Sequence, residues 1–198
     1  MSMAEKKLIE PIEKRHRRGY LPHFDANGFT QFITFRLADS LPSTIFESLK
    51  FKLETKQITE IEYHWQIEKA LDVGSGPTFL KNPRVAELVA KAVLKFDGQR
   101  YELSAWVIMP NHVHILFTPI EPFSVSDIMH SIKSYTANEA NKALNRSGRF
   151  WSPDYFDRFI RGREHFISTR KYIENNPVKA GLCKAPEDWS WGSAGYRG

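Results

Sequence analysis

The stretch Ala105–Phe117, "AWVIMPNHVHILF", reads as two short apolar strands joined at a Pro-Asn turn. Successive side chains of a strand point to opposite faces of the sheet. His112 and His114 therefore project together, while Val113 and Ile115 point the other way into a core. Paired imidazoles can begin a divalent-metal site, although two histidines on a strand are more often incidental. Taken alone, the pattern predicts a core strand and leaves the role of the histidines open.

The elements around this stretch are predicted from periodicity and turn residues. Asn82 and Pro83 are a typical N-cap and first helical residue, and Ser43 is a candidate N-cap for an earlier helix. Pro177 should end the last helix near Asn176, since the residue before a proline is biased away from the α conformation. The predicted elements are a strand in 28–39, helices over 42–70, 84–96, 124–144 and 163–176, and a short strand at 155–160. Because two strands are adjacent, this order favours an α+β fold with an antiparallel sheet over a doubly wound parallel sheet.

The composition is that of a globular protein with a mild basic excess. The chain has 198 residues, of which 41% are hydrophobic and 13% aromatic, enough to bury a sizeable core. It has 28 Lys and Arg against 23 Asp and Glu, which gives a net charge of +5. This balance mildly favours a polyanionic partner such as nucleic acid. We expect a basic arm over residues 1–20, followed by a single domain over 21–198.

Cysteine usage and hydropathy narrow the class of protein. Cys183 is the only cysteine, which excludes an intrachain disulfide and a zinc site built on several thiolates. The first 20 residues have no apolar signal-peptide core, and no segment reaches the roughly 18 consecutive apolar residues of a membrane span. The sequence therefore predicts a soluble cytoplasmic protein that does not enter a membrane.

A second pair of residues could complete a site with the histidines. Tyr172 and Asn176 are four residues apart and so share one face of the predicted last helix. A tyrosine hydroxyl and an amide oxygen on one face could meet the two imidazoles, which would give three metal ligands and a nucleophile. Without the histidines, Tyr172 would be interpreted as an ordinary half-buried aromatic residue.

Two motifs together resemble those of a known family. "AWVIMPNHVHILF" resembles the HUH motif (two histidines around a hydrophobic residue) of single-tyrosine transposases, and "RKYIENNPVKAGL" resembles the nucleophile motif of their REP-associated branch, the RAYT proteins. Further segments agree in the same order, among them "RRGYLPHF", "TFRLADSLP", "FWSPDYFDRFIR" and "DWSWGSA", so the resemblance covers residues 14–194. One departure is Gly192, where relatives commonly carry serine, which puts local DNA contacts in doubt.

The resemblance implies a ferredoxin-like antiparallel sheet that carries the histidines, with the tyrosine on a neighbouring helix. His112 and His114 match the metal-binding pair, Asn176 matches the residue that completes the metal site, and Tyr172 matches the nucleophile. The implied cofactor is Mg²⁺ or Mn²⁺. Tyr135 is the rival nucleophile, but the sequence around it does not match the motif.

The implied substrate is single-stranded DNA with a hairpin, such as a REP element (repetitive extragenic palindrome). The implied reaction is transposase-like cleavage and rejoining through a 5′-phosphotyrosine intermediate. Basic and aromatic side chains suit such a strand, because bases stack on rings and cations follow phosphates. The predicted DNA contacts are Arg15, Arg17, Arg18, Arg158, Arg161, Arg163, Lys171 and Trp191, although for Trp191 core packing is the stronger expectation.

Two alternatives stay open. The chain could be a domesticated transposase that binds DNA hairpins without cutting them, although it retains all four site residues. It could also be a metal-dependent phosphodiester hydrolase, but that would need further carboxylates near the histidines, and none is close in sequence. The resemblance also implies a nucleoid-associated protein, with a monomer favoured over a homodimer that exchanges the tyrosine helix.

Overall fold

The computed structural model describes residues 15–18, 21–24, 28–74 and 76–197. Arg15–Arg18 (β1) and Leu21–Phe24 (β2) pair as an antiparallel two-stranded sheet, for which the backbone alone is described. The end of the predicted arm is therefore strand, and the boundary between arm and domain stays a prediction. The side chains of three predicted DNA contacts on β1 lie outside the described part of the chain: Arg15, Arg17 and Arg18.

A four-stranded antiparallel sheet forms the centre of the fold. The elements after β2 are β3 (Gln31–Arg36), α1 (Ser43–Glu54), α2 (Glu60–Val73), α3 (Pro83–Leu94), β4 (Tyr101–Ile108), β5 (His112–Pro119), α4 (Val125–Ala143), β6 (Phe156–Phe159) and α5 (Arg163–Lys179), with 3₁₀ turns at Phe79–Lys81 and Pro186–Asp188. The sheet has the order β4-β5-β3-β6, and every neighbouring pair is antiparallel. This is the strand order of the ferredoxin-like fold, so the predicted α+β class and sheet are confirmed. Within residues 28–74 and 76–197, no helix has both the length and the apolar character needed to cross a membrane.

Alternation along the central strands gives the sheet two different faces. On one face, Ile33 of β3 and Val113 of β5 join the main hydrophobic core, which α3 and α4 cover. On the other face, Phe32 of β3 and Leu116 of β5 pack in a smaller cluster with Ile173 of α5. Both histidines of β5 lie on this second face, as the alternation predicted.

The helical region predicted over residues 42–70 is two helices. Lys56 adopts a φ of 57°, in the left-handed region where a helix of L-residues does not continue. Thr59 then starts α2 with a capping box: its hydroxyl accepts from the Glu62 N–H, and the Glu62 carboxylate accepts from the Thr59 N–H. The prediction of Ser43 as an N-cap is also wrong, because Ser43 is the first helical residue and Pro42 precedes it without a side-chain cap.

The last helix continues past the proline at which it was predicted to end. Pro177 is buried inside α5, which runs two residues further. Proline removes only one N–H donor from the helix. The Asn176 carbonyl still accepts from the Ala180 N–H, and the Pro177 carbonyl from the Leu182 N–H, both at 2.9 Å. Asn176 is therefore a fully helical residue, one turn after the tyrosine.

The chain after α5 returns to the free edge of β4. The Ile108 N–H donates to the Trp191 carbonyl at 2.7 Å. Trp191 packs against the main core, in agreement with the core packing expected for it. Gly192 follows at the same edge, where an added Cβ would approach Val107 Cγ2 to 3.2 Å. The position at which this chain has glycine and relatives commonly have serine is therefore a packed position at the sheet edge.

Gly76 lies where the loop before α3 touches the turn after β3. A Cβ at this position would lie 2.5 Å from the Asp39 carbonyl oxygen and 2.6 Å from Ser40 Cα, and neither backbone atom can rotate away. Gly76→Ala is therefore expected to lower the free energy of unfolding by about 1–3 kcal/mol, the usual cost of overpacking. Chemical denaturation measures this change. Gly162→Ala, where an added Cβ would meet nothing within 4 Å, is the control, and equal midpoints for the two variants would contradict the prediction.

Candidate active site

The two histidines of β5 meet at their Nε2 atoms in the interior of the protein. His112 and His114 are 1% and 0% exposed, and their Nε2 atoms are 3.1 Å apart. Residues from β3, α2 and α5 surround the pair. The predicted common orientation of the two side chains is confirmed.

Each imidazole is fixed at its other nitrogen. The Leu71 carbonyl in the last turn of α2 accepts from Asn111 Nδ2 at 2.9 Å, so Asn111 Oδ1 faces His112 Nδ1 at 2.7 Å. Because an amide oxygen only accepts, His112 Nδ1 carries the hydrogen. His114 Nδ1 lies 2.8 Å from Thr34 Oγ1. Partners at Nδ1 leave the Nε2 lone pairs for a shared ligand, as in metal-binding histidines.

Burial keeps both imidazoles neutral. It lowers the pKa of His114 to about 4, against the opposing effect of the nearby Glu68 carboxylate. Burial and then the neighbouring His114 lower the pKa of His112 well below the ordinary value of a histidine. Neutral imidazoles can bind a metal ion at neutral pH without first losing a proton.

Asn176 is the third polar group at this point. It is 1% exposed, and its Nδ2 lies 3.3 Å from His114 Nε2. Its Oδ1 is buried and has no hydrogen-bond partner among the described residues. A buried polar atom without a partner costs about 1–3 kcal/mol. Rotating the amide by half a turn would direct Oδ1 at the histidines, where a cation would satisfy it.

The separation of the two Nε2 atoms also fits a small divalent cation. Two nitrogen lone pairs that face each other at 3.1 Å repel unless a proton or cation lies between them. Neighbouring ligands of an octahedral ion with bonds of about 2.1 Å are about 3.0 Å apart. His112, His114 and Asn176 are therefore the residues that would hold such an ion.

Tyr172 lies beside this group on α5. Its ring centroid is 5.7 Å from that of His114, and its hydroxyl donates a short hydrogen bond to Glu68 Oε2. Burial, and then the negative charge of Glu68, raise the pKa of Tyr172 well above the ordinary value of a tyrosine. The rival Tyr135 is 51% exposed on α4, and that helix covers the opposite face of the sheet. Tyr172 is thus the tyrosine that the fold places next to the histidines.

Glu68 of α2 is a residue that the sequence analysis missed. It is 5% exposed, and its Oε1 lies 2.7 Å from His64 Nε2 and 3.6 Å from His114 Nδ1. Burial acts to raise the pKa of Glu68, but the neighbouring His64, together with the hydrogen bonds from His64 and Tyr172, outweighs burial and holds that pKa below its usual range. The available signal was the i,i+4 pair His64 and Glu68, at the border of the apolar stripe Tyr63, Ile67 and Leu71.

Glu68 does not complete a hydrolase-type metal centre. It approaches Nδ1 of His114, whereas the two histidines face each other through Nε2. Among residues 28–74 and 76–197, no three His, Cys, Asp or Glu side chains are grouped so that they could hold a metal ion. The carboxylate that the hydrolase alternative requires is therefore present near the site but not at the Nε2 atoms.

The predicted DNA contacts with described side chains differ in exposure. Arg161, Arg163 and Lys171 are exposed, and Lys171 directly precedes the tyrosine on α5. Arg158 of β6 is half-buried, and burial together with Arg161 lowers its pKa. Their assignment to DNA stays a prediction.

An exposed tryptophan lies near the tyrosine and was not predicted. Trp65 of α2 is 60% exposed. The ammonium of Lys179 lies 5.6 Å from the Trp65 ring centroid and 5.7 Å from the Tyr172 ring centroid. An aromatic ring and a cation on this side of the tyrosine are the kinds of group that a single strand can contact through a base and a phosphate.

Comparison with known proteins agrees with the resemblance carried by the two sequence motifs. Residues 80–176, which include all four predicted site residues, match the family model described as "Transposase IS200 like". The chain is 28% identical to the REP-associated tyrosine transposase of Escherichia coli (strain K12) over 105 residues, which are 52% of this chain and 61% of that relative. The match thus spans less than two thirds of the relative's length.

A solved structure has the same fold. It is described as the REP-associated tyrosine transposase bound to a REP hairpin, and it superposes with a TM-score of 0.57 at 21% identity, over 91% of this chain and 82% of that chain. The resemblance that the two sequence motifs indicated is therefore confirmed. Residues 80–176 are thus similar to the family of IS200-like transposases.

Proposed function

We propose that the chain cleaves and rejoins single-stranded hairpin DNA, with Tyr172 as nucleophile and Mg²⁺ or Mn²⁺ as cofactor. The observation that carries the proposal is the placement of Tyr172 beside His114, with ring centroids 5.7 Å apart, from two elements distant in sequence. The match of residues 80–176 to the IS200-like family model supports the reaction class. The REP hairpin bound by the structural relative supports the choice of substrate.

The covalent step uses the Tyr172 hydroxyl. Its oxygen attacks the scissile phosphorus, a new bond forms between phosphorus and Oη, and the bond from phosphorus to the 3′ oxygen breaks. The hydroxyl loses its proton and the 3′ oxygen gains one, which leaves a 5′-phosphotyrosine and a free 3′-OH. The same bonds exchange in reverse when a 3′-OH attacks the phosphotyrosine, so strands are rejoined without ATP.

The polar side chains near Tyr172 would support this step by holding the cation. His112, His114 and Asn176 would hold the cation at the buried end of the site, with Asn111 and Thr34 fixing the imidazoles. When bound, a divalent cation would neutralise charge on the scissile phosphate and on the transition state. Because the metal-binding side chains are buried, bulk water is excluded, and electrostatic interactions at the site are therefore stronger.

The exposed cations on and before α5 would follow the DNA backbone. Arg163→Ala and Lys171→Ala are each expected to weaken binding of a single-stranded hairpin and to reduce the slope of log affinity against log salt by about 0.7 per lost phosphate contact. Fluorescence anisotropy at several salt concentrations measures both quantities. Lys142→Ala, an exposed lysine of α4 on the other side of the sheet, is the matched control. An unchanged salt slope in the α5 variants would remove those two residues from the DNA interface.

Incubation with DNA labelled at its 3′ end tests the function as a whole. Wild-type protein and a single-stranded hairpin with flanking sequence are mixed with Mn²⁺ and separated under denaturing conditions. We expect a labelled protein–DNA adduct and a free 3′-OH on the other fragment. Binding without an adduct would instead favour the non-catalytic hairpin-binding protein, and free fragments without an adduct would favour the hydrolase.

A further inference from the structure

One carboxylate of α2 connects the nucleophile to the histidines. Glu68 Oε2 accepts the hydrogen of the Tyr172 hydroxyl. Thr34 Oγ1 donates to Glu68 Oε1 at 3.4 Å and lies 2.8 Å from His114 Nδ1. Because the Thr34 hydrogen is directed at the carboxylate, its oxygen is free to accept the hydrogen of His114 Nδ1. We call the four side chains Tyr172, Glu68, Thr34 and His114 the Glu68 bridge.

Burying the Glu68 carboxylate costs free energy, so its buried position needs a specific explanation. Its side chain is 7% exposed, and a buried ion loses several kcal/mol of hydration that only good partners offset. An apolar side chain of similar volume often stabilises a fold equally well or better. The pair with His64 offsets part of the cost at Oε1, whereas Oε2 contacts the tyrosine hydroxyl. Packing of α2 alone would not require this second contact.

The direction of the hydrogen bond matters for the attacking atom. Since the Tyr172 hydroxyl donates its hydrogen to Glu68, the oxygen lone pairs point away from α2. Phe32 packs edge-on against the tyrosine ring, with centroids 6.1 Å apart and an interplanar angle of 88°. The ring and the hydroxyl are thus held by different neighbours, and the hydroxyl orientation depends on Glu68.

We propose that Glu68 is the positioning residue of this site: its carboxylate orients the Tyr172 hydroxyl and, through Thr34, the His114 ring. This inference rests on the proposed function. It predicts that the distance between nucleophile and cation is set by α2, which the chain inserts between β3 and α3, and not by α5 alone. A side chain displaced by about 1 Å can cost about 100-fold in rate.

The first experiment separates positioning from folding. Glu68→Leu removes both acceptor oxygens, Glu68→Gln keeps one, and Glu60→Leu alters an exposed acid on the same helix as the control. At saturating hairpin DNA and Mn²⁺, we expect adduct formation to slow about 100-fold in Glu68→Leu, with partial rescue in Glu68→Gln. The dissociation constant for DNA should match that of Glu60→Leu. Equal adduct rates in Glu68→Leu and Glu60→Leu would overturn the proposal.

Thr34 provides a second test that spares the buried carboxylate. Thr34→Val removes the hydroxyl from the Glu68 bridge at nearly constant volume, while Thr34→Ser keeps it. Loss of a group that orients a metal-binding histidine typically weakens metal affinity about 10–100-fold. Titration calorimetry with Mn²⁺ should show that loss in Thr34→Val and rescue in Thr34→Ser, and equal affinities in the two variants would contradict the bridge.

The last measurement does not depend on activity. Fluorotyrosine placed at position 172 gives one ¹⁹F signal, which should shift and broaden in Glu68→Leu but not in Glu60→Leu. If wild-type protein forms no adduct while this change is seen, the proposed function fails and the contact between Glu68 and Tyr172 stands. If wild-type protein forms adduct and neither rate nor signal changes in Glu68→Leu, the proposed function stands and the positioning role is rejected.

Discussion

Tyr172→Phe is expected to abolish the covalent DNA adduct while leaving hairpin binding largely intact. The substitution removes the one oxygen that can form the phosphotyrosine, and loss of a nucleophile typically lowers the rate by about 1,000-fold or more. The ring would stay packed against Phe32, so the fold and the DNA surface are preserved. Denaturing gels with end-labelled hairpin DNA measure the adduct, and anisotropy measures binding.

Tyr135→Phe is the matched control for this prediction. Tyr135 is exposed on α4, which covers the face of the sheet opposite the histidines, and its adduct yield should equal that of the wild type. An adduct that persists in Tyr172→Phe but disappears in Tyr135→Phe would show that the nucleophile has been assigned to the wrong helix.

His114→Ala is expected to cause the second large effect, on metal binding and cleavage together. The substitution removes one of the two facing Nε2 atoms and leaves Asn176 Nδ2 without its present partner. Loss of even a residue that supports a metal ligand costs about 10–100-fold in affinity, so loss of a ligand should cost at least about 100-fold. Mn²⁺ titration calorimetry measures affinity directly, and chelation of the metal should stop adduct formation until Mn²⁺ is restored.

His130→Ala serves as the control, because His130 is exposed on α4. Thermal unfolding of each variant distinguishes loss of metal binding from loss of the fold, since removal of a fully buried side chain also leaves a cavity. If His114→Ala bound Mn²⁺ as tightly as the wild type, the facing histidines would not be the metal site.

The local periodicity of the sequence was enough to predict the orientation of the histidines. Strand alternation alone places His112 and His114 on one face and Val113 in the core, and the register of β5 with β3 confirms this. The spacing of four residues likewise puts Tyr172 and Asn176 on one side of a helix. Both conclusions depend on neighbours in the chain, so a single sequence is enough to reach them.

The predictions of helix boundaries failed at two places. The proline after Asn176 predicted a helix end, but buried packing holds Pro177 inside the last turn of α5. The region 42–70 had continuous helical character, yet a left-handed Lys56 and the Thr59 cap divide it. In the first case packing decided where the helix ends. In the second case the boundary is local, because the Thr59 capping box can be read from the sequence.

The sequence by itself determined an α+β class with an antiparallel sheet, because periodicity and turn residues act over a few neighbouring positions. Its motifs carried the resemblance that implied the ferredoxin-like sheet and the site residues. Only the tertiary structure brought Glu68 to Tyr172, across 104 residues of chain, and placed Thr34 between that carboxylate and His114. A glutamate beside an apolar stripe looks like a solvated helix residue until the sheet is placed against it. The physical reason is that burial and hydrogen-bond partnership depend on which elements pack together, and no local pattern in one chain specifies that contact.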